Sequence, residues 1–116
     1  MSTTTIEKRL KNIFTRNKRK EIATKFISQL SRNRKTKRIV IEKIINTGRA
    51  EEISRKIERI IYKSLFGKSD DIKTTFKKIG EVHYKKGVST DLFIHGYSIL
   101  SSLIIEEILK TAEKEE

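Results

Sequence analysis

Proline is absent from all 116 residues and glycine occurs only five times. Little in the chain therefore stops the backbone from running as long helices. The apolar residues recur with helical spacing. Ile22, Phe26, Ile27 and Leu30 share one face, and Ile53, Ile57, Ile60, Ile61 and Leu65 form a second stripe. Ile72, Phe76 and Ile79 make a third, and Phe93, Tyr97, Leu100, Ile104 and Ile108 a fourth, widened by Ile94, Ile99 and Leu103. The breaks fall at Thr47-Gly48, Gly67 and Gly87.

End signals divide the chain further. Thr4 and Glu7 have capping-box spacing and open a first helix that reaches Phe14. Asn17 caps a second over residues 18–31. Ile39, Val40, Ile41, Ile44 and Ile45 are all β-branched, so the run 38–46 suits a strand locally; with no partner strand elsewhere, the expectation is helix. Glu51 and Glu52 belong in the first turn of the helix that ends at Phe66, where carboxylates favour the positive dipole end. Ser69, followed by Asp70 and Asp71, caps the next, and Ser89 or Thr90 the last. The pattern predicts an all-α fold of one domain spanning 1–116, with a basic third at 1–45 and a core region at 46–112.

Charge is unevenly placed. Residues 1–45 hold 14 Lys and Arg against Glu7, Glu21 and Glu42, a net +11 of the chain's formal +12. That asymmetry fits an anionic partner, nucleic acid or lipid headgroups, or simply a solvated basic face. Arg32 to Arg38 is the densest stretch, although no helix-turn-helix pattern or stacking aromatic cluster supports sequence readout. Cysteine is absent, which rules out disulfides and thiolate metal sites. No apolar run in the sequence approaches the ~20 residues of a bilayer span, and the first residues lack a signal-peptide core. The expected location is the cytoplasm, with no membrane span.

There is no Ser/His/Asp triad, phosphate loop or zinc spacing, and paired acids such as Asp70-Asp71 and Glu106-Glu107 sit where caps and solvated faces belong. The expectation is a protein without enzymatic activity. His83 is the residue out of place. It extends the Ile72, Phe76, Ile79 stripe where Leu or Ile is expected. An imidazole there serves either as a hydrogen-bonded core residue or as an axial ligand between apolar walls.

The run Ile79-Gly80-Glu81-Val82-His83-Tyr84-Lys85-Lys86-Gly87-Val88, followed by Leu92-Phe93-Ile94-His95-Gly96-Tyr97, resembles the globin-coupled sensor and protoglobin family. The family shows Ile-Gly-x-x-His, a Gly three or four residues later and an aromatic-rich start to the next helix. Tyr62-x-x-Leu65-Phe66-Gly67 with Asp70-Asp71 is similar to the end of the family's distal-side helix, and Phe26-Ile27 falls where the family often has Phe-Tyr. The likeness spans roughly residues 20–105, with a specific part of about 20 residues.

The resemblance implies a globin-like helical fold lacking the family's final helix, and haem b with iron held by His83 on the proximal side. It places Phe26, Ile27, Ile53, Ile57, Ile61, Ile79, Val88, Phe93 and Tyr97 around the haem. Lys85 and Lys86 either pair with the propionates or face solvent. The implied ligand is a diatomic gas such as O2, although Ile27 replaces the Tyr that donates a hydrogen bond to bound oxygen in many members. A missing last helix leaves the face around Ile99, Leu103 and Ile108 to a second copy, which implies a homo-oligomer, a dimer at simplest, signalling to a separate output protein. His95, 12 residues after His83, is expected to be a surface or hydrogen-bonding group. The alternative is a haem-less globin fold or helical module that uses its basic third on nucleic acid or another anion.

Overall fold

The computed structural model describes residues 2–115. Six α-helices run in order: α1 (Ser2–Ile13), α2 (Arg16–Arg32), α3 (Lys37–Val40), α4 (Ala50–Phe66), α5 (Ser69–Lys85) and α6 (Thr90–Glu115), with a π-helical turn at Ile41–Ile45 continuing α3. No strand occurs among the described residues. The fold is all-α, as the periodicity predicts.

The β-branched run 38–46 is helical, but not uniformly. Its second half winds as a π turn, closed by Asn46 N–H donating to the Ile41 carbonyl at 2.8 Å. Several helix starts differ from the expected caps. The first helix begins at Ser2 rather than at Thr4, whose side chain lies outside the described residues. Thr15, not Asn17, caps α2, its hydroxyl accepting the Lys18 N–H at 3.2 Å. Ser69 is the first helical residue of α5, with Lys68 before it making no side-chain cap. Ser89 does cap α6, its Oγ accepting the Leu92 N–H at 3.2 Å.

The core forms where α2 lies against α4 and α6. Phe14, Ile22, Ala23 and Ile27 meet Ile57 and Ile61 of α4 and Leu103 of α6, and Leu10, Phe26, Ile53, Leu65, Leu100 and Ile104 close around them. Phe14 and Ile61 are completely buried. The turn before α3 is tied down by Thr36, whose buried Oγ1 donates to the Leu30 carbonyl at 2.6 Å. Lys18 bridges α2 to α6, with Nζ 3.1 Å from Glu21 and 3.5 Å from Glu107. The hydrogen bond to Glu21, aided by the charge of Glu107, holds the Lys18 ammonium above its usual range.

Helices α5 and α6 leave much of their surface uncovered. No residue of α5 is fully buried; it leans on its neighbours through half-buried Ile72, Phe76 and Ile79. Helix α6, about 39 Å long at 26 residues, matches most of the molecule's 46 Å long axis. Its inner edge is Leu100, Leu103 and Ile104. Leu103, expected on an uncovered face, is instead core. Ile94, Tyr97, Ile105 and Leu109 are exposed. Within Thr90–Glu113 an 18-residue window has a mean hydropathy of 1.5 and is 6% buried, so by length and composition alone this helix is long and apolar enough to cross a membrane. The expectation that the chain carries no such segment is revised accordingly.

Because Ile61 is sealed between α2 and α4, Ile61→Ala is expected to lower stability by about 3–4 kcal/mol. Chemical denaturation followed by circular dichroism checks this. A loss under ~1 kcal/mol means that the α2–α4 seam is looser than described.

Candidate functional site

The α5–α6 corner brings His83 beside Phe93 and Phe76 beside Tyr97. Helix α5 ends in a Schellman motif. Val88 N–H donates to the His83 carbonyl at 3.0 Å and Gly87 N–H to the Tyr84 carbonyl at 3.0 Å, with Gly87 at φ +84°. The four-residue spacing from His83 to Gly87 thus has a local physical reason. The glycine takes the left-handed position that reverses the chain, and the reversal brings the start of α6 back beside the imidazole. Phe93 then stacks at a tilt against His83 with ring centroids 5.2 Å apart, and Phe76 meets Tyr97 edge-on at 5.7 Å.

The His83 ring is exposed to solvent, not turned into the core as its place on the apolar stripe predicts, because α5 stands away from the α2–α4 centre and buries none of its residues fully. Its Nδ1 lies 2.7 Å from the Ile79 carbonyl one turn back. A carbonyl only accepts, so Nδ1 carries the proton and Nε2 keeps the free lone pair of the neutral ring. Fixing one ring nitrogen on a backbone carbonyl is how metal-bound imidazoles are commonly oriented. No group of three or more His, Cys, Asp or Glu suited to a bare metal ion occurs among the described residues. A porphyrin already supplies four nitrogens to its iron, so the chain needs to offer only one axial donor. His83 fits that requirement on the donor side.

The other residues expected around a haem divide into two groups. Ile79, Val88 and Phe93 are half-buried close to His83 in sequence or space, and Tyr97 is 51% exposed on the same helix as Phe93. Phe26, Ile27, Ile53, Ile57 and Ile61 instead belong to the α2–α4 core, where they pack on one another. His83 is not part of that cluster. Lys85 and Lys86 are exposed at the end of α5. No carboxylate lies within ion-pairing distance of either among the described residues.

His95 has a different setting. Its Nε2 lies 3.0 Å from Asn33 Oδ1, which also accepts the Lys35 backbone N–H at 3.0 Å. A backbone N–H can only donate, so that Asn33 atom is the oxygen and His95 supplies the proton. This contact joins α6 to the basic turn between α2 and α3, the hydrogen-bonding role expected of His95.

Sequence reading missed the second polar centre. Glu58 is buried on α4 beside Ile57, and Arg19 of α2 reaches it at 3.2 Å. The same guanidinium donates to the Phe14 carbonyl at 2.8 Å and lies over the Tyr62 ring at 4.8 Å. Glu58 breaks the apolar run between Ile57 and Ile61 only one residue off the buried face, a position easily taken for solvent-facing. No protein-family model, curated protein or solved structure matches the chain.

Gly87→Ala forces a Cβ onto a left-handed backbone and is expected to destabilise the chain by about 1–2 kcal/mol. The checking measurement is the urea midpoint of the variant beside Gly80→Ala. Gly80 lies within α5, where alanine meets no neighbour, so this second change should be neutral or slightly stabilising.

Proposed function

We propose that the chain is a sensor-type globin domain that holds the iron of haem b through Nε2 of His83. The observation that carries this reading is the Nδ1–H bond of His83 to the Ile79 carbonyl at 2.7 Å, within the Ile-Gly-x-x-His segment that resembles the protoglobin family. It leaves one oriented lone pair on a helix that is otherwise lightly packed. Haem held there would supply iron to bind a diatomic gas, with O2 the first candidate. His83 would hold the iron, Phe93 packs on its ring, and the short α5–α6 turn would carry a displacement of that ring to α6. Lys85 and Lys86 supply cationic side chains for propionates. The proposed protein works without enzymatic activity, in the cytoplasm, and passes its signal to a separate output protein.

The exposed side of α6 supports a homo-oligomer, a dimer at simplest. Ile94, Tyr97, Ile105 and Leu109 present large apolar groups to water along a single long helix, a surface that association removes from solvent.

The second reading is a globin-like or other helical module without haem, binding an anionic partner such as nucleic acid through its basic third. It is favoured by the mutual packing of Ile27, Ile57 and Ile61, because a flat macrocycle between α2 and α4 needs those side chains to part.

Hemin titrated into the purified chain is expected to give a Soret band that changes in position and loses intensity in His83→Ala, while the far-ultraviolet helical signal stays the same. No Soret band, or one identical in the variant, transfers support to the second reading. For the α6 surface, sedimentation should show self-association that Ile105→Lys with Leu109→Lys abolishes; a monomer at all concentrations removes the oligomer from the proposal.

A further inference from the structure

A cleft of about 260 Å³ lies between the start of α2 and the middle of α4, and His83 is not among the residues that line it. Its lining is Arg16, Arg19 and Lys20 from α2 with Arg55, Glu58 and Arg59 from α4. Five cations therefore surround one carboxylate. That carboxylate is already engaged, by Arg19 at 3.2 Å and more distantly by Arg16 at 3.9 Å. Among the described residues no carboxylate lies within ion-pairing distance of Lys20, Arg55 or Arg59.

Like charges brought together in a concavity repel, and a chain gains nothing in stability by holding them there. The arrangement is also anchored. Arg19 is fixed by the Phe14 carbonyl, by Glu58 and by the Tyr62 ring, which sets the floor from which the other guanidinium groups project. The first turn of α2 carries no acidic side chain, so its positive dipole end adds to the field instead of being neutralised within the helix.

We propose that this cleft binds a small polyphosphate, the triphosphate group of a nucleotide or an inorganic oligophosphate, with Arg55 and Arg59 as its main contacts. Guanidinium groups match phosphate oxygens in geometry and stay charged at all working pH values. The formal surplus of the lining, four positive charges once Glu58 is set against the five cations, suits a ligand that carries several negative charges in a small volume. The cations are gathered into one shallow concavity of about 260 Å³, a footprint that suits a compact polyanion better than a duplex, whose phosphates lie along an extended surface. Two of the cations, Arg55 and Arg59, lie outside the basic first third, so the site is distinct from a diffuse positive tail.

Calorimetric titration of the full chain with sodium tripolyphosphate, in about 50 mM salt, tests this. Saturable one-to-one binding and a raised Tm are expected, and affinity should fall about tenfold or more in the double variant Arg55→Ala, Arg59→Ala. Both side chains are exposed, and circular dichroism verifies that the variant keeps its helices. A second variant, Arg34→Ala with Lys35→Ala, removes the same charge from the α2–α3 turn and should retain wild-type affinity. Absence of saturable binding overturns the proposal. So does an equal loss in the two double variants, which identifies attraction to net charge alone. A random duplex that binds through Arg55 and Arg59 without competition from tripolyphosphate also overturns it, and assigns the cleft to a polymer backbone.

Discussion

Everything in this molecule hangs on the seam between α2 and α4. Ile22, Ala23 and Ile27 on one side and Ile57 and Ile61 on the other exclude water, and the Arg19–Glu58 pair runs along the edge of that dry strip. The pair costs desolvation, so its contribution to stability is small beside that of the isoleucines. Its value is directional. An apolar seam tolerates sliding and rotation, whereas a guanidinium held at once by a carboxylate, a carbonyl and an aromatic ring admits one register. That register sets the position of Leu103 against the seam and the path of α6 across it.

The remaining helices are arranged by their ends more than by their faces. Phe14 is completely buried where α1 turns into α2, so the turn itself is an anchor. Thr36 and Asn33 fasten the other end of α2 to the turn that leads into α3. Gly67 closes α4 without a left-handed backbone. It stands where any Cβ would come within 2.5 Å of the Lys63 carbonyl oxygen, so only glycine admits the extended exit that directs α5 away. Helix α5 then depends on its two terminal turns and three half-buried apolar side chains, a design with little resistance to local displacement.

Much of this was legible in the sequence because helical periodicity is a local property. The stripes ending in Leu30 and Leu65 face inward, whereas the one ending in Ile108 does so only through Leu100 and Ile104, with Tyr97 and Ile108 exposed; the breaks at Gly48, Gly67 and Gly87 fall between elements. Caps are harder to read. Thr15 and Asn17 are both competent, and the choice depends on where Phe14 must be buried, which is a tertiary fact. The π turn at Ile41–Ile45 has no sequence signature beyond its β-branched crowding. On α6, apolar residues surround the helix so evenly that periodicity alone could not pick the inner edge. For the candidate sites, His83 and its spacing to Gly87 were visible, but its exposure was not, since that depends on how far α5 stands from the core. The Arg55–Arg59 cleft was hidden because its cations lie some forty positions from those of α2 in a chain rich in lysine and arginine.

The two imidazoles are tied through opposite nitrogens and over different distances along the chain. His95 donates through Nε2 to Asn33, 62 positions away, and so fastens the long last helix to the basic turn after α2. His83 donates through Nδ1 to the Ile79 carbonyl only four positions back, so its bond is spent inside its own helix. One histidine is therefore a rivet between elements, and the other a fitting on a single strut, removable without loosening the frame.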